Sequence, residues 1–268
     1  MQERFSFSER RVCRLLNLHR KTIRYRCKAK NDEHLLNRLK HFAAKRRRWG
    51  YRRLDVLLRR EGIIANHKRV FRVYSAAKLQ VRRRKKTRVA IARGLEPPKA
   101  THLNEYWAMD FVHDTIGKRS VRYLTVVDLY NRESPMIYAD FSIPSRCVAR
   151  KLERVGFERG ALPATIIVDN GPEFSSRHIL QWAAEHGIEL HFIVPGKPTQ
   201  NCYIESFNRS FRDECLNEHS FTSLAESRDI VEAWRKDYNA VRPHTSLGKR
   251  TPLEFAKLAV TPHFALVT

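Results

Sequence analysis

The sequence predicts an α/β domain, a mixed five-stranded sheet with helices on both faces, preceded by an all-α basic region. Three observations carry that prediction. From about residue 104, short apolar runs alternate with stretches of helical periodicity. Before that point, apolar residues recur at helical spacing alone. The charge is also segregated. Residues 1–100 hold 32 Lys/Arg against 7 Asp/Glu, whereas residues 101–268 hold 20 against 21. Nearly all of the formal charge of +24 on this 268-residue chain therefore lies in the N-terminal part. That asymmetry is expected of a polyanion-binding module joined to a near-neutral one.

The elements follow in order. Residues 1–30 read as a helix-turn-helix-like segment. Ser8 is the expected N-cap and Glu9 a first-turn acid. Val12, Leu15 and Leu16 share one face, and Ile23 is the inward residue of a second helix whose Arg20, Lys21, Arg24 and Arg26 face outward. A basic helical hairpin packed on another surface explains that pattern equally well. Residues 31–80 form a second basic helical unit. One helix places Leu35, Leu36, Leu39 and Phe42 inward. A second runs through Leu57 and Leu58 to Gly62, and a third is capped by Asn66 and runs through Val70, Phe71 and Tyr74. Residues 81–103 are a basic linker. Its Arg82–Arg88 run is too charged to pack and suits phosphate contact, and Glu96-Pro97-Pro98 stiffens its end. Within residues 104–268, strands are expected at Tyr106–Val112, Arg122–Leu129 and Pro135–Phe141, an antiparallel meander. A helix at about 145–159, a strand Thr165–Val168, a helix at about 175–186, a strand Ile188–Val194 and a long helix Cys202–Leu216 complete the core, with a helical extension beyond. This order corresponds to a ribonuclease-H-like architecture.

The five cysteines are scattered with no Cys-x-x-Cys pair, against a zinc site or a disulfide framework. There is no apolar run long enough to span a membrane, and the N-terminus is too charged for a signal peptide. A reducing cytoplasm is the expectation.

Among 28 carboxylates, three stand out. Asp110 and Asp169 close apolar strands, in Tyr106-Trp107-Ala108-Met109-Asp110 and Ile166-Ile167-Val168-Asp169. Glu205 lies on a helix, with 35 residues between it and Asp169. A carboxylate at the end of a buried strand is costly unless a cation binds it. Three converging carboxylates suit Mg²⁺ or Mn²⁺ and phosphoryl transfer, in which paired ions neutralise the attacking and leaving oxygens. Each has a plainer reading. Asp169-Asn170-Gly171-Pro172 is also an Asx turn. Glu205 is also a solvated helix glutamate in an ion-pair ladder with Arg209 and Arg212 at i+4 and i+7. Asp114 reads as a turn residue beyond its strand, Asp128 as an accessory or structural acid, Glu173 as a helix-start acid and Cys202 as packing.

These residues resemble the integrase catalytic core of bacterial insertion-sequence transposases, specifically the IS-three family. The resemblance rests on Trp107–Phe111, Asp169–Phe174, Pro195–Asn201, Ile204–Asn208, Arg212–Asn217, Tyr238-Asn239, Arg242-Pro243-His244, Leu247-Gly248 and Thr251-Pro252. In the N-terminal region it rests on Gly50–Arg53 and Asn66–Val70. It implies that Asp110, Asp169 and Glu205 are the catalytic metal ligands, that Arg212 contacts DNA, and that the reaction is cleavage at element ends followed by strand transfer. Cys202, Arg209 and Lys249 stand where the family favours Gly or Ala, Gly, and an aromatic residue. DNA contact is further expected of Arg20, Lys21, Arg24, Arg52, Arg53, Lys68, Arg69 and Lys197. The expected partners are double-stranded DNA, as terminal repeats and target, and further copies of the chain on DNA. The family often fuses an upstream reading frame that supplies a coiled coil, and no heptad run of that length is present here. A second-frame product needing an upstream partner is therefore one reading. A non-catalytic DNA-binding regulator and a nuclease of RNA–DNA hybrids are the others.

Overall fold

A five-stranded sheet in the order β3-β2-β1-β4-β5 organises the larger part of the molecule. The computed structural model describes residues 7–25, 31–81, 98–194 and 201–260. The Arg82–Arg88 run, Arg26 and the loop holding Lys197 lie outside the described residues. Strands β1 (Tyr106–Ile116), β2 (Arg119–Asp128) and β3 (Met136–Asp140) form the predicted antiparallel meander. Strands β4 (Thr165–Val168) and β5 (Glu189–Phe192) then add in parallel beside β1. β1 runs four residues further than predicted, so Asp114 belongs to the strand. The turn falls at Gly117, which adopts φ +60°. That conformation suits a residue without a Cβ.

Strand alternation sends β1 side chains to two cores. Trp107 and Met109 pack on one face with Ile166, Val168, Leu152, Phe174 and Trp182. The helices there are α6 (Ser145–Arg159), α7 (Pro172–Ser175) and α8 (Arg177–Glu185). Ala108 and Val112 pack on the other face with Tyr123, Ile167, Phe207 and Phe211. That face is covered by α9 (Cys202–Glu214) and α10 (Leu224–Ala240), with α11 (Pro252–Val260) following. The predicted long helix ends at Glu214, two residues early, and passes into a 3₁₀ turn at Leu216–Glu218.

The N-terminal region is helical, as predicted. α1 (Glu9–Leu15) is capped by Ser8, which accepts from the Arg11 amide, and α2 (Arg20–Arg24) follows. In these helices of 7 and 5 residues, Val12 of the expected face is buried with Cys13, but the rest of that face is not covered. The expected inward residues Leu15 and Ile23 are accordingly 61% and 46% exposed. α3 (Glu33–Lys45), α4 (Tyr51–Arg60) and α5 (His67–Ala76) enclose a third core of Leu35, Leu39, Trp49, Leu54, Leu58 and Val70.

Candidate active site and nucleic-acid interface

Parallel pairing of β1 with β4 aligns Ala108 with Ile167. Asp110 and Asp169 each follow that pair by two residues, Asp110 within β1 and Asp169 one residue past the end of β4. Asp110 shares the parity of Ala108 and Val112 and so faces α9. Asn208 of α9 donates from Nδ2 to Asp110 Oδ2 at 2.8 Å, and the Phe111 amide donates to Oδ1 at 2.7 Å. Thr125, paired with Asp110 across β2, donates from Oγ1 to Asn208 Oδ1 at 2.8 Å. That bond orients the Asn208 amide so that its N–H groups meet Asp110. Asp169 Oδ1 accepts from the Gly171 amide at 3.0 Å, which is the Asx turn. Gly171 leaves that oxygen room, because a Cβ there would stand 2.9 Å from it and the carboxylate would have to shift. Glu205 lies exposed in the first turn of α9.

The electrostatics link the three acids. Burial, together with the charges of Asp169 and Glu205, raises the Asp110 carboxyl to about 6, against the bonds from Phe111 and Asn208. Mutual repulsion of this kind is what a cation would relieve. Hard oxygen donors on a strand, a turn and a helix are a fitting set for Mg²⁺ or Mn²⁺. Among the described residues, no three His, Cys, Asp or Glu side chains stand close enough to hold one ion. The three acids are neighbours in charge but not yet a closed coordination shell.

The other acids play structural parts. Asp128 is fully buried and accepts from the amides of Asn104 at 2.9 Å and Tyr130 at 2.8 Å. Glu173 pairs with Arg122. Arg212 does not extend a ladder along α9. It donates to the His113 carbonyl and lies 3.8 Å from Asp114.

The basic residues expected at DNA divide into two sets. Lys21, Arg52 and Lys68 are exposed. Arg20 and Arg24 both meet Glu9, at 3.0 and 2.9 Å, and Arg69 meets Asp32 at 2.7 Å. Arg53 donates to Glu214 at 2.8 Å, across the contact between the helical region and the core. Glu214 also accepts from Trp49 Nε1 at 3.2 Å and from Arg242 Nε at 2.8 Å. Burial opposes ionisation of Glu214, but the bonds and charge of Arg242, aided by Arg53 and Trp49, hold its carboxyl below the ordinary glutamate value. Around it, Arg46 reaches Asp237 at 2.7 Å, Arg48 reaches Glu218 at 2.8 Å and Arg60 reaches Glu254 at 2.8 Å. Sequence reasoning found the α9 glutamate but gave no role to Asn208, Thr125 or Glu214. Asn208, three positions after Glu205, carried a signal in its spacing; the partners of Glu214 come from distant segments and carried none.

Residues 100–198 and 186–252 match integrase core domain models, and residues 30–87 match an HTH-like domain. A 31.7 kDa protein of insertion element IS407 from Burkholderia multivorans is 49% identical over 96% of this chain and 93% of its own length. A 39.2 kDa protein of insertion element IS476 from Xanthomonas euvesicatoria is 45% identical over 96% of this chain and 74% of its own. A putative transposase for element IS150 from Escherichia coli is 28% identical over 81% of this chain and 80% of its own. Among solved structures, a simian T-cell lymphotropic virus intasome chain shares the fold, with a TM-score of 0.51 and 16% identity over 85% of this chain and 76% of its own. Among the described residues, no helix is long and apolar enough to cross a membrane. The chain belongs to the integrase-core transposases of bacterial insertion elements.

Proposed function

We propose that this transposase is of the Asp-Asp-Glu type and belongs to the IS-three family, with Asp110, Asp169 and Glu205 as its catalytic metal ligands. The observation that carries the reading is the raised Asp110 carboxyl, held within β1 and crowded by Asp169, just past the end of β4, and by Glu205 at the start of α9. Mg²⁺ or Mn²⁺, when bound, supplies Lewis-acid neutralisation of phosphate oxygens and eases ionisation of the attacking hydroxyl. The remaining chemistry falls to the chain. The Phe111 amide and Asn208 fix both oxygens of Asp110. The Gly171 amide fixes one oxygen of Asp169 and leaves the other free for a ligand. Glu205 is exposed on α9, which leaves it open to DNA in this reading. No protein nucleophile is required. The nucleophiles are water for cleavage and a DNA 3′-hydroxyl for joining.

The DNA path is proposed to follow the exposed cations Lys21, Arg52 and Lys68, with Arg212 near the acids and Lys197 in the loop before α9. Arg20, Arg24, Arg53 and Arg69 must exchange their carboxylate partners for phosphate to take part, which fits a strongly salt-dependent affinity. Domain limits at residues 30, 80 and 103, cytoplasmic location with nucleoid association, assembly of several copies on DNA, and an upstream-frame partner all belong to the same reading. The test is strand transfer on a duplex carrying the element's terminal repeat, with Mg²⁺ or Mn²⁺, beside Glu205→Gln and Asp169→Ala. Product from the parent and none from either variant, with end binding retained, is expected. Transfer by Asp169→Ala would sink the ligand assignment. A parent that binds ends but makes no product, even with an upstream-frame protein added, would favour the non-catalytic regulator.

A further inference from the structure

We propose that Arg132 is a positioning residue that fixes the rotation of α9 and thereby presents Glu205; the role rests on the assignment of Glu205 above. Arg132 lies in the β2–β3 turn, far from the acids in sequence. It is a non-glycine residue at φ +63°, a conformation that disfavours a Cβ. The turn around it is fixed by many bonds. The Arg132 amide donates to the Asp128 carbonyl at 3.0 Å, and the Glu133 amide donates to Asn131 Oδ1 at 3.1 Å. Ser134 and Asn239 exchange two bonds of 2.9 Å each. Asp128 and Asn131 are fully buried. A left-handed residue persists where its surroundings over-determine it, and such residues gather at functional sites.

What the strained backbone delivers is a guanidinium over a ring of α9. The Arg132 Cζ lies 3.6 Å from the centroid of the Tyr203 ring. Arg132 Nη1 is buried and has no hydrogen-bond partner among the described residues, and neither does Asn201 Oδ1, one residue before α9. A cation near a helix N-terminus is also disfavoured by the helix dipole. Three costs therefore accompany this contact, offset in part by the cation–π attraction itself. Its geometry gives it a further use. Tyr203 and Glu205 are two residues apart, so they project from nearly opposite flanks of the helix. Ile204 and Phe207 are buried beneath. Clamping the Tyr203 flank against Arg132, over that apolar base, leaves one rotation for the first turn and so one direction for Glu205.

The experiment uses the full chain without metal or DNA first. Arg132→Gly relieves the left-handed strain and removes the stack. We expect its melting temperature to equal or exceed the parent's, while amides of residues 205–210 exchange about tenfold faster. Tyr203→Leu is expected to do the same, and Tyr203→Phe, which keeps the ring, to behave as the parent. In strand transfer, Arg132→Gly is expected to lose kcat by about tenfold or more with KM for the duplex little changed, because a small misplacement of a ligand is felt in the chemical step. Unchanged exchange and unchanged kcat in Arg132→Gly would overturn the proposal, as would a Tyr203→Leu variant equal to the parent. If the parent transfers no strand even with an upstream-frame protein added, the ligand reading of Glu205 fails, and the exchange comparison still decides whether Arg132 holds α9.

Discussion

Replacing Glu214 by alanine should be among the most destabilising single changes in this chain. Its side chain is 8% exposed and that of its partner Arg242 is 6% exposed, with a 2.8 Å contact between them. Alanine leaves the Arg242 guanidinium buried without its counter-charge, at a cost of about 3–5 kcal/mol. The Arg53 contact adds little, because that side chain is 32% exposed and solvent screens it to about 0–1 kcal/mol. Loss of the Trp49 N–H bond adds about 1 kcal/mol. The assay is urea unfolding of Glu214→Ala, Arg242→Met and the double variant at neutral pH and constant salt. The double variant should recover part of the loss, since it no longer buries an unpaired guanidinium, less the cost of the cavity that alanine leaves. Because the Glu214 carboxyl is held below its ordinary 4.5, its contribution is present above that pH and lost as pH falls through the lowered value. A loss under about 1 kcal/mol, or a double variant as unstable as Glu214→Ala, would refute the reasoning.

Other outcomes are expected from the same structure. Asp110→Asn should abolish strand transfer yet stabilise the metal-free chain. The parent's carboxyl, raised from 3.8 to about 6, costs stability as pH rises through that window, so the variant should gain about 1–3 kcal/mol at pH 7.5 in thermal melts. Mg²⁺ should raise the parent's melting temperature and leave that of Asp110→Asn unmoved. Burial and the charges of Arg242, Arg53 and Arg132 lower His244 to about 3, so it stays neutral in the fold. The unfolded chain takes up that proton below 6.5, and stability should fall by about 2 kcal/mol between pH 7 and 5, a loss that His244→Gln flattens in parallel melts. Gly171→Ala should displace the Asp169 carboxylate, since the new Cβ meets its Oδ1 at 2.9 Å. Strand transfer should drop about a hundredfold while end binding persists, and a variant with parent rates would sink the close-approach argument.

The sequence by itself determined the succession of strands and helices along the core, the two aspartates that follow its apolar runs, the helix that carries Glu205 and the basic character of the N-terminal region. These are local properties. Periodicity, caps and turn residues act over a few positions, so Thr165–Val168 and the helix at 145–159 were legible as they stand. Where local signal was weak, the reading slipped. Of the apolar face expected on the short α1–α2 hairpin only Val12 is buried, while Leu15, Leu16 and Ile23 are exposed, and β1 extends four residues past its apolar run into a polar stretch that pairing with β2 carries onward. The tertiary structure alone decided which charges are free. Arg53 and Arg69 look like phosphate contacts in sequence, yet carboxylates 161 and 37 positions away meet them. Coulomb attraction depends on distance in space and on local burial, neither of which spacing along the chain encodes. The same holds for Asn208 meeting Asp110 across 98 residues and for Arg132 beneath Tyr203. Sheet register and helix packing brought those pairs together.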